Sequence, residues 1–149
     1  MKNFSPPSHP VDILLDTDMA TDCDDAGALA VLHTLSRAGE ARIRAIVVNN
    51  KDIASLRAVA ALNAYFGRGD IPLGMYPGTA IGIHPGDFVH AIAGDTARYG
   101  HAALSRGDVP PAVAVYRRTL AAMAKAQAVI VSIGHLNNLH ALLFSPPDE

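Results

Sequence analysis

Several things are scarce in this sequence, and each shortage narrows what the chain can be. There is one cysteine, Cys23, so no disulfide can close within it, which suits a reducing compartment. Tryptophan is absent and aromatic residues reach only 5%, so the hydrophobic half of the chain is mainly aliphatic. Basic residues do not outnumber acidic ones: 12 Lys and Arg stand against 14 Asp and Glu, a net charge of -2. That balance offers no basic stripe for a nucleic-acid polymer and no polybasic segment for a membrane surface. No apolar run reaches the length of a membrane-spanning helix, because charge, Gly or Pro interrupts each of them. Residues 1–10 lack the apolar stretch of a secretory signal and read as a flexible lead-in. The default location is cytoplasmic. Internal repeats and low-complexity tracts are also missing.

What is present is an alternation of short apolar runs and helical patterns. In 149 residues there is room for one domain with a substantial core. Strands are expected over Val11–Asp16, Ala41–Asn49, Ile71–Met75 and Ala128–Ile133, continuous rather than alternating in their apolar residues, as suits strands covered on both faces. Helices are expected from about Asp24 to Gly39, with Ala28, Val31, Leu32 and Leu35 on one face, and over Ile53–Phe66, Pro111–Met123 and Leu136–Phe144. Residues 76–111 form a Gly- and Pro-punctuated excursion with short helices near 87–92 and 96–104. The fold class is α/β, an open and mostly parallel sheet with flanking helices. The chain stops just after a strand-helix unit, so the last strand has an open edge, and a second chain, including a copy of this one, could cover it.

One stretch dominates the chemistry. Between Asp16 and Asp25 the chain carries Asp16, Asp18, Asp22, Asp24 and Asp25, five carboxylates within ten positions, directly after the first strand. Crowded carboxylates raise one another's pKa, and a hard divalent cation with its preference for oxygen ligands relieves the repulsion. The start of the following helix adds partial positive charge. A plainer reading makes this a solvated loop with Asp22 or Asp24 capping the helix, but a cap needs one carboxylate, not five. In open α/β sheets ligands bind beyond the carboxyl ends of the strands. Two other strand ends are polar there, Asn49-Asn50-Lys51-Asp52 and Ser132-Ile133-Gly134-His135-Leu136-Asn137-Asn138.

The segment from Asp16 to Ala26 resembles the calcium-dependent inosine/uridine-preferring nucleoside hydrolases, in particular a bacterial branch with a longer acidic loop. The resemblance continues through Asn63–Gly74, Val115–Leu120 and Val129–Leu139, nearly the whole chain. It implies calcium-dependent hydrolysis of the N-glycosidic bond of ribonucleosides. In that scheme Asp18 ligates Ca²⁺ and is the catalytic base. Asp25 is a second ligand, the backbone carbonyl of Ile133 a third, and Asp24 holds ribose hydroxyls. Asn50 or Asn49 lies near the ribose, Asp16 is a supporting carboxylate, and Asp22 belongs to the longer loop. Family members are longer, and their second half brings another aspartate for calcium, further ribose-binding groups and, in some, a histidine near the leaving base. The resemblance therefore implies that the chain corresponds to the N-terminal portion of such a domain, and the hydrolysis is expected to be impaired or absent in it. His135-Leu136-Asn137-Asn138 also stands where many relatives carry Pro and Thr.

Rival readings are weaker. A haloacid-dehalogenase-type, Mg²⁺-dependent phosphatase would use Asp16 as nucleophile and Asp18 as acid/base, but Ala20 stands where that motif has Thr or Val, and no later Lys or acid pair completes it. An EF-hand lacks its Gly and terminal Glu. A non-catalytic remnant that keeps the fold is the third reading. Elsewhere, His33 reads as a structural residue inside a helix, His84, His90 and His101 as surface residues, and His135 as the best-placed histidine. Lys51 and Asp52 read as a solvated turn, Tyr65, Phe66 and Tyr116 as core or rim, and Cys23 as unreactive beside so many carboxylates.

Overall fold

A computed structural model of the protein describes residues 9–79, 82–123 and 128–147. Four strands form one parallel sheet: β1 (Val11–Thr17), β2 (Ala41–Val48), β3 (Leu73–Met75) and β4 (Ala128–Ser132), in the order β3-β2-β1-β4. β1 pairs with β2 along its whole length and with β4 from Asp12 to Asp16. The expected α/β class is therefore the observed one. The lead-in expected over residues 1–10 falls outside the described residues except for its last two.

The helices form two layers. α1 (Asp24–Arg37), α2 (Ile53–Tyr65) and α3 (Asp87–Gly94) pack on one face, where Leu15, Leu29, Leu32, Ile43, Ile46, Val48, Leu56, Val59 and Val89 are buried together. α4 (Thr96–Tyr99) is a single turn that follows α3. α5 (Ala112–Ala122) and α6 (Asn137–Leu143) cover the other face around Leu14, Ala45, Val47, Val115 and Tyr116. Along β1 the pleat sends neighbours to opposite layers. Leu14 joins the α5/α6 side and Leu15 the α1/α2 side, so burial on both faces accounts for the continuous apolar run.

Local chemistry sets the helix ends. Asp52 is the N-cap of α2, its carboxylate accepting from the Ala54 N–H at 2.9 Å, so it is more than the solvated turn its neighbourhood suggests. Past the end of α1, Gly39 takes φ 77°, a left-handed conformation that glycine adopts without penalty. α1 itself begins differently from the expected capped loop. Cys23 is its N-cap and makes no side-chain cap bond, which leaves Asp22 outside that role, while Asp24 lies within the first turn.

Three sequence-based placements are corrected. Val31 is 59% exposed, on the rim of an apolar groove that it lines with Ile13, Leu35 and Val131, and Val129 of β4 is exposed as well. Tyr65 is 80% exposed; at the last turn of α2 it is Phe66 that packs inward, stacking on buried His33 with ring centroids 4.5 Å apart. His101 is 7% exposed rather than a surface residue, tucked against α3 with its Nε2 3.3 Å from the Ala93 carbonyl. Among the described residues no helix is long and apolar enough to cross a membrane.

Candidate functional site

The strand order places the site. β1 connects to β2 on one side through α1, whereas β4 lies on its other side, so the direction of winding changes between β1 and β4. At such a switch point adjacent loops diverge and open a crevice beyond the carboxyl ends. The acid segment leaves β1 at that point, and Ile133 to Asn138 leave β4 beside it. The two are drawn close: Ile133 N–H donates to the Asp16 carbonyl at 2.9 Å, and a Cβ on Gly134 would lie 2.8 Å from the Asp18 nitrogen and 2.9 Å from the Asn49 side chain. Only glycine fits between these groups.

The acid loop is pinned from inside. Met19 is buried in the main core and adopts φ 44°, a left-handed conformation that costs a non-glycine residue about 1 kcal/mol or more. One residue on, the Ala20 carbonyl accepts from the Gly86 N–H at 3.1 Å, which ties the loop to the excursion.

The pleat then divides the carboxylates. Asp16 points to the α5/α6 side, is fully buried, and accepts three hydrogen bonds: from the Tyr116 hydroxyl at 2.9 Å, Asn49 Nδ2 at 2.8 Å and Asn138 Nδ2 at 3.2 Å. Burial pushes its carboxyl up to about 6, even though all three bonds pull the other way. The same burial, together with the charge of Asp16, raises the Tyr116 phenol well above its ordinary value. On the α1 side, Asp25 is also buried and accepts from the Thr17 hydroxyl. Its pKa also rises to about 6, first from burial, with Asp18 adding a hydrogen bond and repulsion and Asp24 further repulsion, while the Thr17 bond opposes the rise.

Asp22, Asp24 and Asp25 each place an oxygen within 4.8 Å of the others, with Asp22 and Asp24 exposed and Asp25 buried. A cluster of carboxylate oxygens at that spacing could hold a hard divalent cation. Asp24 also accepts from the Asp25 N–H at 3.0 Å. Asp18, half-buried, stands against Asp25 rather than within this triad. The asparagines after β2 are both buried and bonded within the chain. Asn49 donates to Asp16 and its carbonyl accepts from Asn137 Nδ2 at 3.1 Å, whereas Asn50 donates to the Ile83 carbonyl at 2.8 Å.

The crevice also holds polar atoms with unused capacity. Asn49 Oδ1, Ser132 Oγ, His135 Nε2, Asn137 Oδ1 and Asn138 Oδ1 are buried without a hydrogen-bond partner among the described residues. Buried polar atoms left unpaired are costly, so this end of β4 is set up for a further partner or ordered water. Sequence reasoning missed Thr17, Tyr116 and Asn138 as site residues. Thr17 was signalled by strand alternation and Asn138 by its polar strand-end segment, but nothing in the sequence marks Tyr116, a hundred positions from its partner.

No family model and no curated protein matches the chain, whereas solved structures share its fold. Over 93% of this chain it superposes on the type III effector protein XopQ, solved in complex with adenosine diphosphate ribose, with a TM-score of 0.68 at 20% identity. The effector protein XOO4466 matches over 92% with a TM-score of 0.64 at 21% identity. The chain spans 41% and 39% of their respective lengths, about two fifths.

Proposed function

We propose that this chain is the metal- and ribose-binding half of a nucleoside-hydrolase-type site, binding a divalent cation, Ca²⁺ before Mg²⁺, and the ribose of a nucleoside or nucleoside-like ligand. The observation that carries the reading is the crowding of Asp18, Asp22, Asp24 and Asp25 at the switch point, where burial first, and then Asp18 and Asp24, push the Asp25 carboxyl up to about 6. A buried carboxyl pressed by neighbouring carboxylates gains from a cation, because the cation removes the repulsion. The donor set is oxygen only and fits a hard ion. Asp18 and Asp25 would hold it from the loop and helix sides, with Asp22 alongside and the Ile133 carbonyl from β4.

When bound, calcium would supply a Lewis-acidic centre that acidifies a water molecule. Asp18 would take the proton of that water on a carboxylate oxygen. Asp24, exposed at the start of α1, would accept from ribose hydroxyls, and the negative rim would favour the positive charge that develops on the sugar as the N-glycosidic bond breaks. Asn49 and Asn50 would act from behind, Asn49 by orienting Asp16 and Asn50 by holding the excursion through Ile83. Adenosine diphosphate ribose, the ligand of the XopQ complex, carries a ribose with a free anomeric hydroxyl, the group that cleavage of a nucleoside releases. That coincidence supports ribose recognition on this fold and also a second reading, binding without turnover.

Calorimetric titration with Ca²⁺, followed by inosine, uridine and adenosine diphosphate ribose, separates the outcomes. Saturable calcium binding that is lost in Asp25→Asn, with ribosides binding only in its presence, is expected. Release of free base would establish turnover by the chain. Calcium binding unaffected by Asp25→Asn would sink the metal assignment, and phosphate release from a phosphomonoester would favour the phosphatase reading.

A further inference from the structure

Two histidines stand together on the excursion, apart from the acid cluster. His84 lies two residues before Gly86, the N-cap of α3, and His90 lies one turn into that helix, which brings their rings to 5.5 Å between centroids at an angle of 50°. Both side chains are open to solvent, His90 by 42%. Each ring turns one nitrogen to a fixed acceptor. His84 Nδ1 stands 2.9 Å from the Pro85 carbonyl, which can only accept, so the ring proton sits there and Nε2 keeps its lone pair. His90 Nε2 faces the Asp52 carboxylate at 4.0 Å, and a carboxylate draws the proton to the nitrogen it faces, which leaves the lone pair on Nδ1. Asp52 is itself held, its other oxygen capping α2 through the Ala54 N–H. The turn between the histidines is held as well: Asn50 Nδ2 donates to the Ile83 carbonyl at 2.8 Å, and the Gly86 N–H to the Ala20 carbonyl at 3.1 Å.

Two imidazoles on one tetrahedral ion, with bonds of about 2.0–2.1 Å, hold their ring centroids about 5 Å apart. The spacing of His84 and His90 is close to that, and small rotations of two exposed side chains cover the difference. Imidazole nitrogens suit zinc and its transition-metal neighbours, whereas the all-oxygen acid loop suits a harder ion. We propose that His84 and His90 form a second cation site, taking a divalent ion of the zinc class through His84 Nε2 and His90 Nδ1, with water completing the shell. Asp52 is not a ligand; it fixes the tautomer and orientation of the His90 ring, as the carboxylate behind a metal-bound histidine does. The ion ties the entry of the excursion to α3. This site is independent of the metal-and-ribose reading, since it shares no residue with it.

The test is an NMR titration of the untagged full chain with Zn²⁺ in a large excess of Ca²⁺, so that oxygen-only sites do not compete. The His84 and His90 ring signals are expected to move together and saturably, with those of buried His33 and His101 unmoved. Mg²⁺ in place of Zn²⁺ should leave both rings where they were. His84→Gln and His90→Gln should each weaken zinc at least ten-fold while the rest of the folded spectrum stays, since both side chains are exposed. Asp52→Asn keeps a capping side chain on α2 and should weaken zinc about ten-fold, the low end for a partner behind a ligand. Zinc affinity unchanged in either glutamine variant would overturn the proposal, as would movement of one ring without the other or shifts confined to the acid loop. Affinity unchanged in Asp52→Asn would overturn the role given to that carboxylate.

Discussion

Asp16 and Asp25 are two buried carboxyls only nine positions apart, both pushed up to about 6, yet their surroundings differ in kind. Asp16 is enclosed by three neutral donors on the α5/α6 side, whereas Asp25 faces Asp18 and Asp24 and belongs to an acidic triad that opens to solvent. The first environment binds the sheet to its helices. The second stores repulsion that an added positive charge would relieve. One pKa value therefore describes a structural carboxylate in one place and a responsive one in the other, and only the neighbours tell them apart.

The sharpest way to break that contrast is to remove each carboxyl. Asp16→Ala should destabilise the protein by about 3 kcal/mol or more in urea unfolding, because it leaves Tyr116, Asn49 and Asn138 with buried donors unpaired. Asp16→Asn keeps most of the cage, with the Tyr116 hydroxyl turning to accept, and should lose far less. Calcium separates the two sites next: at a hundred-fold excess over its Kd it should stabilise the wild type and Asp16→Asn by about 2.7 kcal/mol and leave Asp25→Asn unchanged. Loss of the response in Asp16→Asn but not in Asp25→Asn would invert the assignment.

A smaller effect comes from pH. A carboxyl raised from 3.8 to about 6 keeps its proton in the folded state after the unfolded chain has released it, so its stability contribution is full below pH 4 and is lost as pH rises through 6. Each of Asp16→Asn and Asp25→Asn should thus gain on the wild type between pH 4 and 7, by on the order of 2 kcal/mol. Calcium should abolish that gain for Asp25→Asn alone. Buried His33 runs the opposite way: burial lowers its pKa, so its contribution is present above 6.5 and falls away as the solution is acidified, which the variants share and which cancels in the difference. The smallest effect is expected from Thr17→Val, about 1 kcal/mol of stability, with the Asp25 carboxyl moving higher still because the bond that opposes the rise is gone.

Much of the architecture was legible in the chain. The four strands and the helices beside them fall within a few residues of the positions read from apolar runs, Gly39 stops α1, and the polar strand ends converge on one rim. The misplacements share a cause. Val31 and Tyr65 follow helical periodicity, but periodicity gives a face without saying whether a neighbour covers it, and at the β4 side and at the end of α2 none does among the described residues. His101 was misplaced because its burial depends on how residues 100–110 fold back over α2, a long-range event with no local signal. The short 3₁₀ turn at Arg106–Asp108, closed by Ser105 and Asp108, was likewise unforeseen.

By itself the sequence determined that five carboxylates would be delivered at the end of a strand running into a helix, because the apolar run, its length and the following helical pattern are all local. It could not divide them. The parallel order β3-β2-β1-β4 set the acid loop at the switch point, and the β1 pleat turned Asp16 toward Tyr116 and Asn138 while Thr17 met Asp25. Those pairings join residues up to 122 positions apart, and a carboxyl's pKa depends on what surrounds it in space. Tertiary structure therefore decided which aspartate is sealed into the core and which remains open to a cation.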